Sequence, residues 1–218
     1  MCGIFGATNF KQFEILYSRN KKRGSFSHGF FFAKKDGSMY IRKGEGEHNL
    51  TGEYIWEETT EYDTFLGHTQ APTSSERDFH VSTCHPFEEG HFLVAHNGVL
   101  ENHNQLSQEL FKETVKVDSQ VIPKMLDTMY VGDDVYVIEE VCNRLEGIFA
   151  CWIYSKHTKQ VYVVRSGCTL YADKDMQIFS SVTTNKATNL LDEGKIYCLS
   201  PEGLAEVGGF KSNSPFFM

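Results

Sequence analysis

Three short stretches carry residue types that could together cleave an amide bond. Cys2 follows the initiator methionine, Asn97-Gly98 follows an apolar run, and Asp118 precedes a helical pattern. If Met1 is removed, Cys2 carries a free α-amino group beside its thiol. The pKa of a thiol is about 8.5 and that of an α-amino group about 7.7–8.0, so the amine can take the thiol's proton and later return it to a leaving amine. The pair predicts nucleophilic attack on an amide carbonyl.

Asn97-Gly98 and Asp118 are candidates for the other two requirements of that reaction. Attack on an amide creates an oxyanion, and a tight Asn-Gly turn closing the strand HFLVAHNG would offer it a side-chain amide and a backbone N–H. A substrate with an α-amino group needs a carboxylate, for which Asp118 at a helix start is suited. Each residue alone has a purely structural explanation, so the prediction depends on their joint occurrence in this order.

The histidines and cysteines do not form a metal-binding pattern. His68, His85 and His96 are interpreted as core or strand-end histidines, and the adjacent Cys84 and His85 have no second ligand pair at zinc-type spacing. We therefore expect neither a metal nor another cofactor.

Composition limits the class of protein and its partners. The chain has 218 residues, 40% of them hydrophobic, and we expect a single globular domain over 1–218. A net charge of -8 disfavours binding to nucleic acid or to anionic membranes. No apolar run reaches the roughly 18–20 residues of a membrane span, and no signal peptide is visible. Six cysteines without a CxxC pair are typical of a reducing cytoplasm.

The elements that must position these residues are many short strands and a few helices. The pattern predicts helices over roughly 11–22, 102–112, 118–130 and 133–145, with Asp133 or Asp134 as the last N-cap and Pro123 disturbing the third helix. Several strands are apolar on both alternating faces, and GIFACWIY and QVYVVRS form a hairpin across a polar loop. Because strands do not alternate regularly with helices, the sequence favours an α+β arrangement of antiparallel sheets with helical layers outside.

These stretches resemble the class II glutamine amidotransferase domain, an N-terminal-nucleophile hydrolase. MCGIFG is similar to the family's start, GHT at 67–69 to its GHTRWAT, HNGVLEN to its HNGIIEN, and VDSQVI to its acidic segment. Arg23-Gly24, HPF at 85–87 and the stretch from LEGIFACWIY to RSGCTLYAD also match family segments. The resemblance covers nearly the whole chain, from Cys2 to about residue 207.

The resemblance implies a four-layer αββα sandwich and hydrolysis of glutamine to glutamate and ammonia through a γ-glutamyl thioester. It implies Cys2 as nucleophile, Asn97 and Gly98 as the oxyanion hole, and Asp118 as the group that binds the substrate's α-ammonium. It further implies substrate-binding or positioning roles for three other residues: Thr73 in a loop that closes over the substrate, His68 in the GHT segment, and Arg23 near the nucleophile.

The sequence departs from the family at the residue that grips the glutamine α-carboxylate. The family has an arginine there, and this chain has Gln70, which cannot form a bidentate charged pair. Our hypothesis is that Arg77 supplies the missing charge; low affinity, or a substrate without a free α-carboxylate, are the alternatives.

Only the tail 208–218 remains in this sequence after the amidotransferase-like core of 2–207, and on this ground we expect no synthase domain in the chain. We therefore expect a separate ammonia-accepting synthase subunit as partner. The apolar end 215–218 is a candidate contact for it, and ordinary surface or core packing of that end is the alternative. Two other functions stay open: a stand-alone hydrolase acting on another amide, and a noncatalytic binding relative that has lost the carboxylate clamp.

Overall fold

The computed structural model describes residues 2–50, 62–71, 79–175 and 177–212. The predictions for Met1, Thr73, Arg77 and the tail end 215–218 concern residues outside these ranges. Within the described ranges, no helix is long and apolar enough to cross a bilayer.

The described chain forms short strands and four α-helices. The helices are α1 Phe10–Asn20, α2 His103–Phe111, α3 Val121–Met129 and α4 Asp134–Arg144. The strands are β1 Gly3–Ala7, β2 Ser27–Ala33, β3 Met39–Glu45, β4 Thr64–Gln70, β5 Phe87–Glu89, β6 Phe92–Leu100, β7 Gly147–Ser155, β8 Gln160–Ser166, β9 Tyr171–Ala172, β10 Ile178–Ser180, β11 Asn189–Leu190, β12 Lys195–Ser200 and β13 Gly203–Gly209.

The strands form two sheets that pack face to face. One sheet has the order β11-β9-β10-β1-β4-β2-β3 and the other β13-β12-β8-β7-β6-β5. Neighbouring strands are antiparallel throughout, and in the first sheet Gly3 of β1 pairs with Thr69 of β4. The strand that follows Cys2 is therefore the central strand of the larger sheet.

Alternating side chains of each strand fill two different layers of the core. Ile4 points between the sheets and packs in one cluster with Leu66 and Trp152, whereas its neighbour Phe5 packs outward with Phe13 of α1. The outer face of the second sheet is covered in the same way by α2, α3 and α4. This arrangement confirms the predicted αββα sandwich and explains why β1 and β2 are apolar on both faces.

The predicted helices agree with the structure to within two residues at each end, except that α3 begins three residues later than predicted. Asp133 is the N-cap of α4, where its Oδ1 accepts a hydrogen bond of 3.0 Å from the backbone N–H of Tyr136. Pro123 lies in the first turn of α3, where a missing N–H costs no intrahelical hydrogen bond. The helix is delayed by a preceding 3-10 turn, Asp118–Gln120.

The prediction that Asn97-Gly98 forms a tight turn at the end of a strand was wrong. β6 continues through both residues to Leu100, and Asn97 and Gly98 pair with Ala150 and Phe149 of β7. Pairing along the whole of β7 overrides the local turn preference of the Asn-Gly dipeptide. Four short or polar strands, β5, β9, β11 and β13, were also not predicted, since little alternating apolar character marks them.

Candidate active site

Cys2 lies at the start of the central strand, beside the end of β4. The register that pairs Gly3 with Thr69 brings Cys2 to the segment where β4 ends, and the backbone N–H of Ala71 hydrogen-bonds the thiol. The side chain is half-buried. Cys2 therefore has partial access from solvent and directly precedes a paired strand.

The environment of Cys2 keeps its thiol protonated at neutral pH. Burial raises the pKa of the thiol, and the carboxylate of Asp118 acts in the same direction. The Ala71 N–H and the guanidinium of Arg23 act against this rise without reversing it. A thiol in this state needs a base before it can act as a nucleophile.

Ser181 connects the strand of Cys2 to the strand of Asn97. Its hydroxyl oxygen accepts hydrogen bonds from the backbone N–H of Ile4 at 3.0 Å and from Asn97 Nδ2 at 3.5 Å. Its own N–H donates to the Ile4 carbonyl at 2.9 Å. Sequence reasoning missed Ser181, because it follows the end of β10 in a segment with no recognisable motif.

Arg23 is hydrogen-bonded to the segment that contains Ser181. Its Nη1 donates to the Ser181 carbonyl at 2.7 Å and to Thr169 Oγ1 at 3.4 Å. The guanidinium thus lies near Cys2 as a fixed positive charge, and its positioning role stays a prediction.

Asp118 begins the 3-10 turn that leads into α3, and its carboxylate is held by three hydrogen bonds. Oδ2 accepts from the backbone N–H of Leu100 at 3.0 Å. Oδ1 accepts from the N–H of Ser119 at 2.7 Å and from its hydroxyl at 3.1 Å. The carboxylate is therefore anchored to the end of β6, three residues after Asn97.

Two other predicted substrate-binding residues, Gln70 and His68, are buried in the protein. Gln70 is 2% exposed, and its side-chain oxygen accepts a hydrogen bond of 2.6 Å from Ser27 Oγ. His68 is also buried, with Nε2 at 3.2 Å from the His96 carbonyl oxygen and its ring centroid 4.0 Å from that of His85. The described ranges contain no group of three or more His, Cys, Asp or Glu residues arranged to hold a metal ion.

Gly98 has a backbone conformation and surroundings that exclude a side chain. Its φ is +148°, and a Cβ at this position would lie 2.0 Å from the Ile148 carbonyl oxygen and 2.8 Å from His96 Nε2. Only glycine lets β6 stay paired here with its N–H in place.

Replacement of Gly98 by alanine is expected to lower the free energy of unfolding by more than the same change at Gly132. Both glycines have positive φ, +148° and +98°, and strain at such a φ costs about 1–3 kcal/mol. Only Gly98 has a backbone oxygen where the methyl group would go, whereas Gly132 has nothing within 4 Å. Urea unfolding of Gly98→Ala and Gly132→Ala measures the difference, and equal losses would contradict the steric argument.

Comparison with known proteins finds similarity to amidotransferases both in sequence and in fold. Residues 81–185 match the family model described as a glutamine amidotransferase domain. The chain is 28% identical over 221 residues to the glutamine--fructose-6-phosphate aminotransferase [isomerizing] of Aquifex aeolicus, covering 93% of this chain and 37% of that protein. It is 26% identical over 192 residues to the 7-cyano-7-deazaguanine synthase of Sulfolobus acidocaldarius, covering 81% of this chain and 41% of that protein.

Among solved structures, the fold is similar to that of the glutamine phosphoribosylpyrophosphate amidotransferase of B. subtilis. The TM-score is 0.76 at 18% identity, over 95% of this chain and 49% of that chain. The chain thus spans less than half the length of each of these three proteins.

Proposed function

The chain carries the glutamine amidotransferase domain of the class II enzymes, and from that premise we propose that it hydrolyses glutamine to glutamate and ammonia with Cys2 as the nucleophile. The observation that supports this proposal most is the single hydroxyl of Ser181, which ties the backbone next to Cys2 to the side chain of Asn97. In the proposed reaction, this link keeps the nucleophile and the oxyanion donor at one end of the sandwich.

The first half of the proposed reaction forms a thioester. With Met1 removed, the neutral α-amino group of Cys2 takes the thiol proton, and Sγ attacks the side-chain carbonyl carbon of glutamine. Asn97 Nδ2 and the Gly98 N–H donate to the oxyanion of the tetrahedral intermediate. The C–N bond then breaks, the α-ammonium returns its proton to the leaving nitrogen, and ammonia departs.

The second half regenerates the enzyme. The α-amino group takes a proton from water, and the resulting hydroxide equivalent attacks the thioester carbonyl through the same oxyanion donors. The C–S bond breaks, glutamate is released, and the thiolate recovers its proton from the amine.

Asp118 is proposed to bind the α-ammonium of glutamine, and its replacement by asparagine tests this role. Asp118→Asn keeps the shape of the side chain and removes its negative charge. Since a hydrogen bond to a charged group contributes about 1.5–3 kcal/mol, the KM for glutamine is expected to rise roughly 10- to 150-fold. Steady-state kinetics gives the result; a KM like that of the wild type would show that Asp118 does not contact the substrate.

The α-carboxylate of glutamine requires a different partner from the family arginine. The side-chain oxygen of Gln70 is already bonded to Ser27 inside the first sheet. This supports our proposal that Arg77 supplies the positive charge, with Thr73 in the loop that closes over the substrate.

Domains of this family work together with a synthase domain or subunit that accepts the ammonia. The Aquifex and Sulfolobus proteins are both much longer than this chain, which matches 37% and 41% of their lengths. We propose that the acceptor site lies on a separate synthase subunit.

One assay distinguishes glutamine hydrolysis from the two other functions. The processed protein is incubated with glutamine and with an electrophilic glutamine analogue, and glutamate release and labelling of Cys2 are measured by mass spectrometry. Glutamate release with labelling supports the proposal. Labelling without glutamate release favours hydrolysis of another amide. The absence of both labelling and glutamate release would favour a noncatalytic binding protein.

A further inference from the structure

The carboxylate of Asp118 has few acceptor positions left for a substrate. A carboxylate offers about four hydrogen-bond acceptor positions, two on each oxygen. Ser119 fills both positions of Oδ1 with its N–H at 2.7 Å and its hydroxyl at 3.1 Å, and the Leu100 N–H at 3.0 Å fills one of Oδ2. The one remaining position is on Oδ2, so the orientation of the carboxylate decides where a substrate ammonium can bind.

The hydroxyl of Ser119 is itself oriented by a buried histidine. Ser119 Oγ lies 2.8 Å from His96 Nδ1, and both residues are 2% exposed. An ionised carboxylate can only accept, so the single hydroxyl proton of Ser119 points to Asp118. Both hydrogen bonds then form together only if His96 carries a proton on Nδ1 and donates it to Ser119 Oγ.

The charge state of His96 suits this arrangement. Burial lowers the pKa of His96, and the opposing effects of the Asp118 carboxylate and of the Ile148 backbone carbonyl do not reverse the shift. The ring is therefore neutral at neutral pH. A neutral donor fixes the hydroxyl without placing a second positive charge beside the position of the substrate ammonium.

We propose that Ser119 and His96 are positioning residues that set the Asp118 carboxylate for the α-ammonium of glutamine. His96 orients the Ser119 hydroxyl, and Ser119 holds Oδ1 so that the free position of Oδ2 faces the substrate. β6 would then serve both ends of one glutamine molecule, with Asn97 and Gly98 at the amide and His96 at the ammonium. This inference rests on the proposed glutaminase function.

Kinetics with two substrates distinguish a role of Ser119 in positioning Asp118 from a general structural role. Glutaramate is glutamine without its α-amino group, so it gains nothing from Asp118. Ser119→Ala is expected to raise the KM for glutamine about tenfold with little change in kcat, and to leave kcat/KM for glutaramate unchanged. Ser119→Thr keeps the hydroxyl and should restore the KM for glutamine.

Ser107→Ala is a matched control. Ser107 is also a buried serine, but its hydroxyl donates to the Glu113 carbonyl at 2.8 Å, outside the site. This variant should leave the kinetics on both substrates unchanged. Thermal unfolding of each variant establishes that it is folded under the assay conditions.

A double-mutant cycle gives the second measurement, and it does not depend on the rate with glutaramate. If Ser119 acts through Asp118, Ser119→Ala should have no further effect on KM in an Asp118→Asn background. Additive effects in the cycle, equal losses on both substrates, or an unchanged KM in Ser119→Ala would each overturn the inference. Absence of glutamate release by the wild-type protein would instead overturn the proposed function itself.

Discussion

Replacement of Cys2 by alanine is expected to lower kcat for glutamine by about 10⁴- to 10⁶-fold, the usual cost of removing a catalytic nucleophile. Another described thiol near Cys2 is Cys168, and it cannot take over the reaction. Burial raises the pKa of Cys168 to about 11, and this thiol lacks the adjacent α-amino group that takes the proton of the Cys2 thiol in the proposed reaction. Glutamate formation is measured by mass spectrometry at saturating glutamine.

Cys198→Ala is the matched control for Cys2→Ala. Cys198 is also a half-buried free cysteine, but it lies on β12 with its thiol bonded to Gln160. It should retain the full kcat. Protein that keeps Met1 should be as inactive as Cys2→Ala, because its base is then part of a peptide bond. Residual activity of more than a few per cent in Cys2→Ala would mean that Cys2 is not the nucleophile.

Replacement of Asn97 by alanine is expected to have the second largest effect. Loss of one oxyanion donor lowers kcat by about 10²- to 10³-fold. The KM should change little, because the donor contributes to the transition state more than to the bound substrate. The side chain is 2% exposed and held by Ser181, so its amide has little freedom to adopt other positions.

Asn102→Ala provides the comparison for Asn97→Ala. Asn102 follows β6, and its side-chain amide donates to the Arg144 carbonyl at 2.8 Å rather than toward Cys2. We expect a kcat close to that of the wild type. If Asn97→Ala raised KM with an unchanged kcat, Asn97 would be a substrate-binding residue rather than an oxyanion donor.

The layers of the fold could be predicted from the sequence because local patterns determine them. Helical spacing predicted α4, and the preference for a side-chain acceptor at an N-cap limited its cap to Asp133 or Asp134, of which the structure has Asp133. Apolar residues on both faces of β1 and β2 predicted burial between two layers. Pairing between distant strands leaves little trace in the local sequence. For this reason the turn predicted at Asn97-Gly98 was wrong and β13 was not predicted.

The supporting contacts of the site could not be predicted for a related reason. Ser181 and Asn97 are 84 positions apart in the chain, and Ser119 and His96 are 23 apart. Neither serine belongs to a pattern that indicates its partner. Only the packing of the two sheets and the start of α3 against β6 brings these hydroxyls to their places.

The hydrogen bonds of Ser181 link the two sheets, and this link affects which substitutions in the interior the enzyme would tolerate. Ile4 belongs to one sheet and Asn97 to the other, so the separation of the proposed nucleophile and the proposed oxyanion donor depends on the spacing of the two sheets at that end. Trp152 spans the same gap, with Nε1 donating to the Gly67 carbonyl at 3.1 Å. The packing of the interior thus sets the geometry of the proposed reaction. Substitutions that change the volume of core side chains would therefore change the reaction rate during evolution, although these side chains never touch glutamine.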